Sequence, residues 1–111
     1  MTDTTSTSVA KIHHCNSLAE VRTHIDALDT RIVALLCERS GYVRQAGRLK
    51  DKLEQIVDQP RIEAIIKRVC SQAREHGAPE AVMEATYRAM IAAFIALERE
   101  EFVRLHAKHQ E

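Results

Sequence analysis

Residues 18–53, LAEVRTHIDALDTRIVALLCERSGYVRQAGRLKDKL, carry one apolar pattern from end to end. Its members follow each other at alternating steps of four and three residues, which is the heptad spacing of a helix with one buried face. Ser17 precedes the run and Glu20 comes three residues later, the pattern of a capping box. The sequence therefore predicts a helix of about 36 residues. Its seam comprises Val21, Ile25, Leu28, Ile32, Leu35, Arg39, Tyr42, Ala46, Leu49 and Leu53.

The predicted helix is too long for one small domain. At 1.5 Å per residue it spans roughly 54 Å, whereas a compact domain of this length is only about 30 to 35 Å across. A heptad seam of that length needs a second long apolar surface. We therefore expect an intertwined homodimer in which two copies of this helix pack together.

Two further helices are marked by the few proline and glycine residues. Asp58 and Pro60 are typical of a helix start, and Gly77 is a candidate left-handed end for that second, short helix. Pro79 can occupy the first turn of a third helix. Apolar residues cover much of the third helix's circumference, so we expect it to lie at the centre of the domain.

Composition excludes several classes of protein. Of 111 residues, 45% are hydrophobic and 29% charged, which is typical of one globular domain. Only 4% are aromatic, and three Gly and two Pro leave little turn chemistry for a β-sandwich. Sixteen Lys and Arg balance sixteen Asp and Glu, which favours neither nucleic acid nor an anionic membrane as partner. We divide the chain into a disordered polar tail, residues 1–15, and one all-α domain, residues 16–108.

The N-terminal residues and the cysteines indicate a cytoplasmic protein. The tail lacks the apolar core of a signal peptide, and no apolar run approaches the roughly 20 residues of a membrane span. The three cysteines are widely separated and odd in number, which favours reduced thiols. His13, His14 and Cys15 are adjacent rather than at metal-ligand spacing, so we predict no metal site there.

Three cations stand where a structural helix would place leucine. Arg39 occupies the apolar seam itself. Arg22 and Lys50 lie four heptads apart on a column that borders the seam. Because burying a lone cation costs several kcal/mol, an anion is expected to meet them.

Helix geometry indicates which of these cations cooperate. Arg39 and Lys50 are separated by about 16 Å along one helix and point in similar directions, so they can converge on a small molecule. Arg22 lies some 26 Å from Arg39 along the helix axis and points in another direction. In an antiparallel dimer, however, it can complete the site of the partner chain. Three cations around one pocket would suit a ligand with two carboxylates.

A structural alternative for Arg39 stays open. It can pair with Glu38, with Glu54 or with a partner-chain aspartate, as a polar seam residue that sets helix register. Glu98 favours a functional interpretation, because it lies among Ile91, Ile95, Phe102 and Leu105 on an apolar face of the third helix. A buried acid next to cations is a candidate catalytic group.

The pattern resembles a known family. The run Leu18-x-x-Val21-Arg22-x-x-Ile25-Asp26-x-Leu28-Asp29-x-x-Ile32-Val33-x-Leu35-Leu36-x-x-Arg39, followed by Tyr42-Val43, Lys50 and Pro60-Arg61, resembles the all-helical chorismate mutases and their relatives, the isochorismate pyruvate lyases. The resemblance covers residues 17 to about 105. It implies a three-helix chain in an intertwined homodimer with two shared active sites.

The resemblance also implies roles for the three cations and the acid. Arg22, from the partner chain, and Arg39 match the arginines that hold the substrate carboxylates. Lys50 matches the lysine that contacts a carboxylate and the ether oxygen of the breaking bond. Glu98 lies where bacterial members usually have a Gln, and fungal mutases a Glu, bonded to that oxygen. A carboxyl group can donate this hydrogen bond only when protonated.

The remaining matched residues bear on the substrate. Asp58 and Arg61 lie in the segment that closes over it. Ile62 departs from the pattern, since many mutases have there a Glu that binds the ring hydroxyl, and the lyases tend to have a nonpolar residue. Asp58 is a candidate replacement for that contact.

The implied reaction is the rearrangement of chorismate to prephenate, a step of aromatic amino acid biosynthesis that needs neither cofactor nor metal. The first alternative is an isochorismate pyruvate lyase, which makes salicylate and pyruvate. The second is a non-catalytic helical dimer or adaptor, for which the cations would share no pocket. Resemblance of fold does not by itself choose among them.

Overall fold

The computed structural model describes residues 9–107, and in that range the chain is all-helical, without a β-strand. Helix α1 spans Leu18–Leu49, a 3₁₀ turn spans Leu53–Gln55, α2 spans Gln59–Glu75 and α3 spans Glu80–Ala107. The predicted all-α chain of three helices is thus confirmed. None of these helices is long and apolar enough to cross a membrane.

The chain divides after Val33 into two compact units. In the first, the start of α1 is capped much as the sequence predicts. The Ser17 hydroxyl accepts from the Glu20 amide at 3.1 Å, while the Glu20 carboxylate accepts from the amide of Asn16, also at 3.1 Å, rather than from that of Ser17. Two of the otherwise unpaired amides at the helix start are thereby satisfied.

The segment before α1 only partly overlaps the predicted tail. Residues 1–8 lie outside the described residues, as does residue 108, the predicted end of the domain. Residues 9–15 have no regular secondary structure. The ring of His13 stacks on that of His24 in α1, with 5.3 Å between the centroids.

The apolar face of α1 is exposed in the single chain. In the first unit, the seam residues Val21, Ile25, Leu28 and Ile32 each keep between 38% and 50% of their surface exposed. In the second unit, Leu35, Tyr42 and Leu49 are still more exposed. An apolar row of this length without a covering surface is typical of an interface.

In the second unit, α2 packs on α3. Their contact buries Ile65, Ile66, Val69 and Ile91, as the helical spacing of the apolar residues in α2 predicts. At the start of α2, a carboxylate oxygen of Asp58 accepts from the Arg61 amide at 3.0 Å. After its end, Gly77 adopts a φ of +72°, the left-handed conformation that glycine tolerates best.

Surface ion pairs also join α2 to α3. Arg88 of α3 donates to both carboxylate oxygens of Glu63 in α2, at 2.9 and 3.0 Å, and at 2.8 Å to Glu84 one turn earlier in its own helix. The hydrogen bond from Arg88 lowers the pKa of Glu63 below its ordinary value. Arg74 similarly lowers the pKa of Glu80.

The predicted end of helix one is wrong by four residues, since α1 stops at Leu49 rather than Leu53. The Gln55 side-chain carbonyl accepts from the amides of Asp51 and Lys52, at 2.8 and 3.0 Å, and so replaces the helical acceptors of those amides. The turn that results buries Ile56, which is only 3% exposed. The burial of Ile56 and the hydrogen bonds to Gln55 therefore end the helix at Leu49, although the heptad pattern continues to Leu53.

Candidate active site

A cavity of about 320 Å³ lies in the second unit, between the C-terminal part of α1, the start of α2 and the middle of α3. Its volume is within the range of small-molecule sites. Its walls are mostly apolar, with three cations and two carboxylates among them. The lining residues are Arg39, Tyr42, Val43, Ala46, Lys50, Ile56, Asp58, Arg61, Ile62, Ile65, Ile91, Phe94, Ile95 and Glu98.

An ion pair joins two walls of the cavity. Lys50 follows directly after α1, where its amide still donates to the Ala46 carbonyl. Its Nζ donates to Oε2 of Glu98 at 2.6 Å. Glu98 is 7% exposed and lies on the apolar face of α3. An ammonium group has three N–H donors, so the bond to Glu98 leaves two for a ligand.

Arg39 brings a second cation to the cavity. Its guanidinium lies over the ring of Phe94, with Cζ 4.7 Å from the centroid, which is within range of a cation–π interaction. Its Nη1 is buried and has no hydrogen-bond partner within residues 9–107. Buried donors in proteins are normally paired, so this nitrogen is suited to an anionic ligand.

The structural alternative for Arg39 finds no support inside the described chain. In residues 9–107, Arg39 forms an ion pair with neither Glu38 nor Glu54. A purely structural dimer would have cations that share no pocket, whereas Arg39 and Lys50 line the same cavity.

Asp58 and Arg61 reach the cavity from the start of α2. One oxygen of Asp58 is already engaged in capping the helix. The side of the cavity that α2 forms also includes Ile62, which is half-buried. At Ile62 the cavity wall is therefore apolar, as expected from the sequence.

Arg22 is not among the residues that line the cavity. It lies in the first unit, on an exposed part of α1. Within the second unit, the described chain thus brings Arg39, Lys50, Asp58, Arg61 and Glu98 together around one cavity.

Sequence reasoning missed the aromatic partner of Arg39. Phe94 precedes Glu98 by four residues, which places both on one face of α3. That spacing was visible in the sequence and could have placed Phe94 on the face of α3 that carries Glu98. No group of three or more His, Cys, Asp or Glu in residues 9–107 is arranged to hold a metal ion.

Comparison with known proteins assigns the family. Residues 21–99 match the family described as chorismate mutase type II, and this range includes Arg22, Arg39, Lys50 and Glu98. The chain belongs to the chorismate mutase type II family. It is also 32% identical over 82 residues to the isochorismate pyruvate lyase of Pseudomonas aeruginosa. That alignment covers 74% of this chain and 81% of the lyase.

Membership confirms the resemblance that the sequence showed, and it indicates an enzyme with a chorismate-like small-molecule substrate. It does not choose the reaction, because the family includes mutases by its description while the relative is a lyase by its name.

Proposed function

We propose that the cavity binds an enolpyruvyl ether with two carboxylates, chorismate or isochorismate, and breaks its ether C–O bond. The observation that carries this proposal is the Lys50–Glu98 pair, which lies in the same cavity as the unpartnered Nη1 of Arg39. Arg39 can hold a substrate carboxylate through its unpartnered nitrogen. Lys50 has N–H donors left for the ether oxygen, on which negative charge develops.

The first candidate reaction is the rearrangement of chorismate to prephenate. Atoms move only within the substrate, so the protein has to orient the side chain over the ring and stabilise charge on the ether oxygen. Lys50 supplies the stabilising donor, and Arg39 with a second arginine fixes the carboxylates. One well-placed donor lowers the barrier by ~3 to 4 kcal/mol.

Glu98 needs a proton to act as the second donor to the ether oxygen. In the free protein it accepts from Lys50, and a carboxylate has no proton to give. We propose that Glu98 is the second donor and carries this proton in the complex with substrate.

We also propose that the active protein is a homodimer with shared sites. The exposed apolar row on α1 gives a second copy a surface to cover. Arg22, which does not line the cavity of its own chain, would reach the cavity of the partner. There it would hold the substrate's second carboxylate.

The second candidate reaction is release of pyruvate from isochorismate to give salicylate. Two observations favour it: the apolar Ile62 in the cavity wall, and the 32% identity to a protein named isochorismate pyruvate lyase. On the side of chorismate, the second oxygen of Asp58 is available to take over the contact to the ring hydroxyl.

Product identification distinguishes the candidates. The purified protein is incubated separately with chorismate and with isochorismate, and prephenate, salicylate and pyruvate are measured. Prephenate from chorismate supports the mutase reaction, and equal amounts of salicylate and pyruvate from isochorismate support the lyase. If neither substrate is converted, the proposed function is wrong and the non-catalytic helical dimer takes its place.

A further inference from the structure

Gly47 is buried on α1 at the point where the helix meets α3. A Cβ atom built at this position would lie 3.2 Å from the backbone oxygen of Glu98 and 3.3 Å from its Cγ. It would also lie 3.5 Å from Cβ of Glu101. The backbone of α3 therefore rests directly on a position that has no side chain.

Two of these three atoms belong to Glu98, the acid of the candidate site. A backbone oxygen cannot swing aside as the end of a long side chain can, so a methyl group at Gly47 would move α3 or the Glu98 side chain by a few tenths of an ångström. The Cγ atom at 3.3 Å carries the carboxylate that binds Lys50. Lys50 itself follows Gly47 by three residues, about one helical turn.

We propose that Gly47 is a positioning residue for catalysis: the missing side chain lets Glu98 approach α1 closely enough to hold Lys50 at the reacting ether oxygen. This inference rests on the proposed function of the cavity. It assigns Gly47 no contact with the substrate, since Gly47 does not line the cavity.

The need at Gly47 is for space, not for an unusual backbone conformation. Within residues 9–107, the only glycine with a positive φ is Gly77. Gly41, on the same helix, has nothing within 4 Å of a built Cβ. Alanine at either position suits a helix better than glycine. Gly41→Ala is therefore a matched control that makes the same chemical change without the close approach.

The test compares the steady-state kinetics of Gly47→Ala and Gly41→Ala with whichever substrate the wild type converts. We expect Gly47→Ala to lower kcat about ten-fold, because small misplacements of catalytic groups are costly, and to leave KM within about three-fold. Gly41→Ala should keep wild-type values. Equal kcat in the two variants would overturn the proposal, as would a Gly47→Ala chain that fails to fold while Gly41→Ala folds, since Gly47 would then serve packing alone.

A double-mutant cycle shows whether Gly47 acts through Glu98. Glu98→Ala removes the Cγ atom that the new methyl group meets, so Gly47→Ala should lower kcat less in that background than in the wild type. Equal fold-losses in both backgrounds would overturn the proposal.

Crystal structures of the two variants give a readout that does not depend on turnover. The distance between Lys50 Nζ and Glu98 Oε2 should lengthen in Gly47→Ala and stay near 2.6 Å in Gly41→Ala. An unchanged distance in Gly47→Ala would contradict the inference. Failure of the proposed function would instead appear in the wild type, as conversion of neither substrate.

Discussion

Lys50 and Glu98, 48 residues apart in sequence, form an ion pair with 2.6 Å between Nζ and Oε2. The Lys50 side chain is 27% exposed and that of Glu98 9%, so the pair lies at the wall of the cavity with the lysine nearer to solvent. The contact joins the end of α1 to the middle of α3.

The first prediction concerns the donor at position 98. If Glu98 donates to the ether oxygen in the complex, Glu98→Gln, which keeps an N–H donor, should retain much of the turnover. Glu98→Ala has no donor and should lose most of it. Equal kcat/KM values for Glu98→Gln and Glu98→Ala would remove Glu98 from the role of donor.

The second prediction separates substrate binding from helix register at Arg39. Arg39→Ala should lower kcat/KM by about 10- to 100-fold, because hydrogen bonds to a charged group contribute about 1.5 to 3 kcal/mol, while the oligomeric state stays that of the wild type. Arg39→Lys keeps the charge but loses the planar pair of donors, so it should recover only part of the activity. Steady-state kinetics with sedimentation checks both. A change in oligomeric state with intact turnover would favour the structural role.

The third prediction tests the shared site by mixing inactive subunits. In an Arg22→Ala/Lys50→Ala heterodimer, one cavity has a wild-type Lys50 and receives a wild-type Arg22 from the partner. Random mixing should therefore restore about one quarter of wild-type activity.

A matched control for that mixture pairs Lys50→Ala with Glu98→Ala. Both residues belong to the cavity of one chain, so neither site of this heterodimer is wild type and no activity should return. Recovery in both mixtures, or in neither, would contradict sharing through Arg22. So would a folded, active monomer at micromolar concentration in sedimentation.

The fourth prediction is a pH-dependent stability at the α2–α3 surface. Because Arg88 lowers the pKa of Glu63, this carboxylate stabilises the fold at pH above its ordinary value of 4.5. The contribution is lost as pH falls through the lowered folded-state pKa. Glu63→Gln should therefore lower the melting temperature slightly at pH 7, and the difference from the wild type should vanish in acid.

Glu100→Gln is the control for that measurement. It removes the same charge from an exposed position on α3 that takes part in none of the ion pairs between residues 9 and 107. A difference in melting temperature for Glu63→Gln that persists unchanged below pH 3 would contradict the ion pair as its source.

Much of this architecture could be predicted from the sequence because its signals are local. Heptad spacing predicted α1, Asp58 and Gly77 marked the ends of α2, and cations in and beside the apolar seam pointed to Arg39 and Lys50. Each of these depends on neighbours within a turn or two of helix.

The features that sequence reasoning missed leave no periodic signal in the sequence. Helix α1 ends early because Gln55 caps the following turn and Ile56 is buried, and neither effect has a period to detect. The close approach of α3 to Gly47 and the stacking of Phe94 on Arg39 likewise require the packing of two helices. Periodicity shows which face a residue occupies but not which partner it meets there.

In the proposed reaction, Lys50 stabilises the ether oxygen as its C–O bond breaks. The most direct measurement is product formation from chorismate and from isochorismate by the wild type and by Lys50→Met, which keeps the length of the side chain without its charge. We expect the wild type to form prephenate, or salicylate with pyruvate, and Lys50→Met to be slower by at least about 100-fold while its helical content is unchanged. Turnover by Lys50→Met at the wild-type rate, or no product from either substrate with the wild type, would contradict the claim.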